Sequence, residues 1–248
     1  MESIKQLKND KDEYQRSLHA IMAMIGGFLG GYAILTRMDL FGNAQTANMM
    51  YVVISVLGKN FTGMFLRVCG VFIYMCGVAI SVMWKKRCAY NIHCFSIIVD
   101  ILAIIISGFI PRSVSPVVAL YPVFFAMPIQ WNSFTGAYGY NSSPIFSTNN
   151  LRQFTMGITE YLTGHDIKQL HKACIYGKVL LFYHIGVFLS YFAVKIYDVR
   201  GVWFGLAITA VAALKIIGEE KELWVKKEMK LVEECVKDRK KECVRREI

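Results

Sequence analysis

Hydrophobic residues run along this chain in blocks long enough to cross a bilayer, and the polar residues between them fall in a repeating order. The long blocks are residues 19–35, 64–84, 94–110, 114–131, 173–196 and 201–217. About 20 apolar residues in an α-helix span the hydrocarbon layer with every backbone N–H and C=O paired internally. Two shorter segments stand apart. MMYVVISVL (49–57) has nine residues and, at about 1.5 Å of rise each, reaches roughly half way across. LRQFTMGITEYL (151–162) is its downstream counterpart and carries Arg152 and Glu160.

Each short segment follows a polar break containing Thr-x-Asn, NAQTANMM (43–50) and FSTNNLRQF (146–154). Thr46 and Thr148 lie 102 positions apart, as do Asn48 and Asn150, and Gly77 and Gly186 lie 109 apart. Each half therefore reads long span, polar linker, short amphipathic segment, long span, long span. The expected fold is all-α and polytopic, with about six crossings plus two short half-helices, built as inverted three-crossing repeats. The expected divisions are a cytoplasmic amino-terminal segment (1–18), a first transmembrane repeat (19–110), a second (111–218) and a charged cytoplasmic helix (219–248).

Charge bears on the crossing count, because cytoplasmic loops beside spans collect Lys and Arg. Six crossings put Lys5, Lys8, Lys11, Arg16, the cluster Lys85, Lys86 and Arg87, then Arg152, Lys168, Lys172 and the basic tail on the inside, leaving Arg37, Lys59, Arg112 and Arg200 outside. Eight crossings, counting both short segments, throw the Lys85 cluster out. Six is favoured, with both termini cytoplasmic in a plasma membrane. The first 16 residues are too polar and acidic for a secretory leader, so the first helix is expected to stay.

Composition agrees, with 55% hydrophobic and 13% aromatic residues. The net charge of +10 lies mostly at the ends and in short loops, so topology explains it and no nucleic-acid partner is expected. Seven cysteines form no Cys-x-x-Cys pair. Neither a metal nor a cofactor is expected, and no nucleotide loop, His-Glu-x-x-His or nucleophile elbow is present.

Candidate chemistry sits where polar residues interrupt lipid-grade sequence. Thr and Asn at a break can bond their own backbone, cap the next half-helix and still offer a polar atom inward. Asn43, Gln45, Thr46 and Asn48, with Gln130, Asn132, Thr148, Asn149, Asn150 and Arg152, are the candidate lining of a solute path. As caps alone, the same residues would serve structure. Asp100 stands in mid-span, where a carboxylate costs several kcal/mol unless protonated, paired or hydrated. With His184 and Glu160 it forms the candidate coupling or proton set, and Arg67, Lys178 and His184 are its candidate partners. The alternative for His184 is a bond between helices. Tyr138 and Tyr140 are candidates for a lid or for headgroup anchors. Gly26, Gly27, Gly30 and Gly31 form two overlaid Gly-x-x-x-Gly patterns for close helix approach, within one chain or to a second copy. Val225, Met229, Val232, Val236 and Cys243 mark a heptad seam in the tail.

The stretches GGYAILTRMDLFGNAQTANMM and AMPIQWNSFTGAYGYNSSPIFSTNNLRQF, in that order, resemble the YoaK-like family of uncharacterised bacterial inner-membrane proteins, grouped under a domain of unknown function. The pattern falls on Asn43, Gln45, Thr46, Asn48, Gln130, Asn150, Leu151 and Arg152, with Ala47 and Asn149 where glycine is common. The resemblance implies a membrane protein of about six crossings and no established substrate. The functional expectation is a small-solute transporter or facilitator rather than an enzyme, with the lipid bilayer, an unknown small solute and a second copy of the chain as partners. Two alternatives stand beside it: a membrane scaffold or sensor acting through its cytoplasmic tail, and an intramembrane cofactor-binding enzyme, which requires Asp100, His184 and Glu160 to converge.

Overall fold

The computed structural model describes residues 2–88, 90–137 and 139–221, so Tyr138 and the heptad seam lie outside the described residues. The elements are α1 (Glu2–Thr36), α2 (Thr46–Leu57), α3 (Phe61–Arg87), α4 (Ile92–Phe109), α5 (Pro116–Ala119), α6 (Tyr121–Ser133), β1 (Gly136–Ala137), β2 (Tyr140–Asn141), α7 (Thr148–Gly164) and α8 (Ile167–Tyr197). A 3-10 turn, Asp198–Phe204, leads into a helix over residues 205–221, here α9. Residues Met1–Ala212 form one compact unit, to which the following account applies. The all-α expectation holds; β1 and β2 are a two-residue antiparallel ribbon.

Local chemistry sets the helix limits. Asn60, Asn91 and Asp166 cap α3, α4 and α8 through side-chain oxygens that accept from Gly63, His93 and Lys168 N–H, satisfying amides without an intrahelical partner. Lys85, Lys86 and Arg87 close α3, where cations complement the carbonyl end of the helix dipole. The span expected at 114–131 is broken at Leu120 into α5 and α6. Pro116 and Pro122 open the two pieces, where a missing N–H is tolerated, and the Pro122 ring keeps α5 from continuing into α6.

Among the described residues, four helices are long and apolar enough to cross a membrane: Asp12–Thr36, Phe61–Arg87, Ile92–Phe109 and Ile167–Lys221. The last contains two of the expected spans, divided at Asp198, which turns the chain with φ 53°. Beyond it Gly201 lies against the Ala193 carbonyl, where a Cβ would come within 2.4 Å. The apolar part of α1 is 78% buried, against 17% for α3. Thus α1 is central and α3 presents Phe65, Phe72 and Met75 outward, as a lipid-facing helix does.

The helices pair through glycine. Gly27 meets Tyr183, Gly31 meets Val187 and Ser190, and Gly186 meets Met24 and Phe28, so α1 and α8 run parallel in near-backbone contact. Gly70 meets Phe124 and Gly77 meets Phe125 and Pro128, so α3 and α6 also run parallel. The two Gly-x-x-x-Gly patterns of α1 thus have different partners. Gly27 and Gly31 admit α8, whereas Gly26 admits the Pro144 backbone and Gly30 faces Asn43, Phe41 and Tyr183.

At the end where α1 stops, here the far end, Arg37 is 1% exposed. It donates to the Ile110 and Pro111 carbonyls at 2.7 and 3.0 Å, tying down the chain where it leaves α4. Arg37, counted among the loop charges in the sequence, is a buried clamp between the end of α1 and the chain leaving α4. Arg112 nearby pairs with Asp198 at 2.6 Å, both half exposed.

Candidate functional site

The first break turns through Met38 and Asp39, both in the left-handed region, and brings Asn43 back alongside α1. Asn43 is fully buried and its Nδ2 donates to the Gly26 and Ile145 carbonyls, each at 2.7 Å. Gly26 lies near the middle of the 25-residue apolar stretch Asp12–Thr36. Asn43 and Ile145 are 102 positions apart, the separation of the two Thr-x-Asn motifs. The two interruptions therefore touch at mid-depth, inside the protein.

Below Asn43 the first break continues as a polar chain. Gln45 Oε1 accepts from Asn48 Nδ2 at 2.9 Å, and Asn48 Oδ1 accepts from Arg67 at 2.9 Å. The second break closes on itself. Asn150 Nδ2 donates to Ser143 O at 2.7 Å and to Phe146 O, and its Oδ1 accepts from Ser143 N. Ser142 Oγ lies 2.5 Å from His19 Nε2. Neither Thr caps its helix: the caps are Gln45 and Ser147, without a side-chain cap bond, and Thr46 and Thr148 are exposed. In each Thr-x-Asn, the Asn faces the protein and the Thr faces out.

A layer of buried polar side chains links α1 to its neighbours. Gln130 Nε2 donates to Met22 O at 2.8 Å and Tyr32 Oη donates to Ser107 O at 3.1 Å, bonds from α1 to α6 and α4. Asp100 sits near the middle of α4 and is 0% exposed. Among the described residues, both Asp100 oxygens lack a hydrogen-bond partner, as do Ser96 Oγ, Gln130 Oε1, Asn43 Oδ1, Gln45 Nε2 and His19 Nδ1. A buried polar atom left unpaired costs about 1–3 kcal/mol, so these atoms mark where a water, an ion or a proton would be accommodated.

Other candidates lie elsewhere. Asn132 ties α6 to α3, donating to Ser81 Oγ at 2.7 Å and accepting from Lys85. Asn149, Arg152 and Glu160 are exposed on α7. His184 is exposed on α8, and its Nδ1 meets the Leu180 carbonyl one turn back, so the expected bond between helices is a bond within one. No hydrogen bond or ion pair joins Asp100 to Arg67, Lys178 or His184 among the described residues. The convergence required by an acid-base enzyme is therefore absent among them. Tyr140 packs edge-on against Tyr176.

Sequence reasoning missed His19, Ser96, Ser142 and Ser143. For Ser96 the signal was there, since Ser96, Asp100 and Ser107 share one helical face. The serines of the second break carried none, because Ser-Ser-Pro reads as an ordinary turn. Beside the first break, a cavity of about 410 Å³ opens between α2, α3 and the α4–α5 loop.

No curated protein and no solved structure matches this chain. The family described as Protein of unknown function (DUF1275) matches residues 18–215, most of a helical chain with membrane-length apolar helices, and the chain belongs to that family.

Proposed function

We propose that the protein is a transporter or facilitator for a small solute, made of two inverted three-crossing repeats, 19–110 and 111–218, with six crossings and both termini cytoplasmic. The contact between Asn43 and the Ile145 carbonyl carries this reading. It joins positions equivalent under the repeat and sits at mid-depth, the arrangement that interrupted helices adopt around a solute in inverted-repeat transporters. The parallel pairs support it, since α1 with α8 and α6 with α3 exchange places when the halves are exchanged. Backbone irregularity at that depth is tolerated where it is buried in protein or lines a wet route.

In this scheme the solute passes Arg67, Asn48, Gln45 and Asn43 on the far side and Gln130, His19 and Ser142 on the near side. Asp100, in the same layer, binds the proton or cation whose movement is coupled to the solute. Intramembrane carboxylates are expensive and mark such relays.

The test is uptake of radiolabelled glycerol, alanine, lactate and phosphate into proteoliposomes. The wild type moves at least one above the protein-free rate. Asn48→Leu and Asp100→Asn reduce that movement at least about tenfold, a change of roughly 1.4 kcal/mol, while eluting as folded protein. Undiminished movement in both variants would remove the path, and no movement of any solute by the wild type would remove transport.

A further inference from the structure

We infer that the cavity between α2, α3 and the α4–α5 loop binds a small oxyanion, a carboxylate or phosphate group, on the guanidinium of Arg67. The inference deepens the transport reading and rests on it for the cavity's place on a route.

The cavity, about 410 Å³, is lined by Tyr51, Ser55, Asn60, Gly63, Arg67 and Ser115 among others, and among the described residues no Asp or Glu lines it. Arg67 lies six residues past Phe61, the start of α3, so its Cα is about 9 Å down the helix from the far end. A cation at that depth is costly without a partner. Its observed partners are neutral: the Asn48 side-chain Oδ1 at 2.9 Å and the Tyr51 ring, whose centroid lies 4.4 Å from the guanidinium carbon. Among the described residues, its Nε and Nη2 have no hydrogen-bond acceptor and no carboxylate pairs with it.

The chemistry fits an anion with two adjacent oxygens. A guanidinium presents parallel N–H groups that match carboxylate or phosphate in a fork, and it stays charged. The Ser55, Ser115 and Tyr51 hydroxyls add donors, and the first-turn amides of α3 favour negative charge. Arg67 also connects the cavity floor to the first break, through Asn48 to Gln45. An anion there would sit at the far mouth of the proposed path.

Binding is tested on full-length protein in maltoside detergent, which carries no phosphate. Melting temperature is titrated with inorganic phosphate, sulfate and acetate against chloride at matched ionic strength, and in a separate arm with short-chain phosphatidic acid. The wild type rises saturably with at least one oxyanion. Arg67→Gln needs at least about tenfold more, and Arg67→Lys falls between, keeping charge without the fork. Ser115→Phe, which fills the cavity and leaves the Arg67–Asn48 bond in place, also loses the response, and it decides alone if Arg67→Gln does not fold. An Arg67-dependent response confined to phosphatidic acid identifies the oxyanion as a lipid headgroup at the same site. Equal titrations of wild type and variants in every arm overturn the site. Arg67-dependent binding without flux of any solute leaves the site and removes transport; flux without Arg67-dependent binding does the reverse.

Discussion

The two breaks are the same device built to opposite ends. Each follows an apolar helix, reaches the interior, and starts a short helix that returns as a hairpin through a left-handed residue, Lys59 in one and His165 in the other. The first break stays open. Asn48 spends its side chain on Gln45 and Arg67, and a cavity lies beside it. The second break is sealed: Asn150 bonds its own loop. The separation that aligns Gly77 with Gly186 also sets Arg67 against Tyr176, and Tyr176 gives its hydroxyl to Asn141 O at 2.8 Å. Where one half holds an underused cation, the other holds a satisfied neutral group. The two breaks share a backbone course, and a few side chains decide which of them opens beside a cavity.

The largest expected effect separates the helix pairs on which the breaks are mounted. A Cβ at residue 186 would lie 2.0 Å from the Met24 carbonyl oxygen, and one at residue 77 would lie 2.6 Å from that of Phe125. Gly186→Ala is therefore expected to lose about 3 kcal/mol or more and Gly77→Ala about 1–3, read as thermal melting in detergent. The reverse order would break the account of α1 and α8 as the tighter pair.

Asn43 and Asn150 sharpen the contrast between linking and sealing. Asn43→Leu strands two carbonyls from different segments and is expected to cost about 2–4 kcal/mol globally. Asn150→Leu is expected to cost about 1–2 kcal/mol, with hydrogen exchange rising over residues 143–150. Equal and global loss in both would mean that the second break is not a closed local unit.

The smallest effect is expected at Tyr176. Tyr176→Phe removes one hydrogen bond and is expected to cost about 1 kcal/mol with anion titration and uptake unchanged. A change in either comparable to that of Arg67→Gln would place Tyr176 on the anion site or the route as well.

Much of this was written in residue order. Period and length identified the helices, the 102-residue separation marked the breaks as a pair, and the overlaid Gly-x-x-x-Gly patterns at Gly26, Gly27, Gly30 and Gly31 announced close helix contact. These features are local, so a string of residues displays them. The direction of a side chain is another matter. His184 and Asp100 both look like polar residues in apolar helices, yet one reaches its own Leu180 carbonyl on the surface and the other faces the core. Asn43 and Thr46, three residues apart, are buried and exposed in turn.

The sequence by itself determined that the chain is helical, membrane-grade in its apolar helices and interrupted twice at matched positions, because hydrophobic length and backbone hydrogen bonding leave little else open. Only the tertiary structure decided that the interruptions meet, that Arg67 turns to Asn48 rather than to Asp100, and that Asn150 seals its loop. Each of those outcomes depends on which helix faces are pressed together, and that is fixed by contacts between residues more than a hundred positions apart or by the rotation of neighbouring helices, neither of which is written in local order.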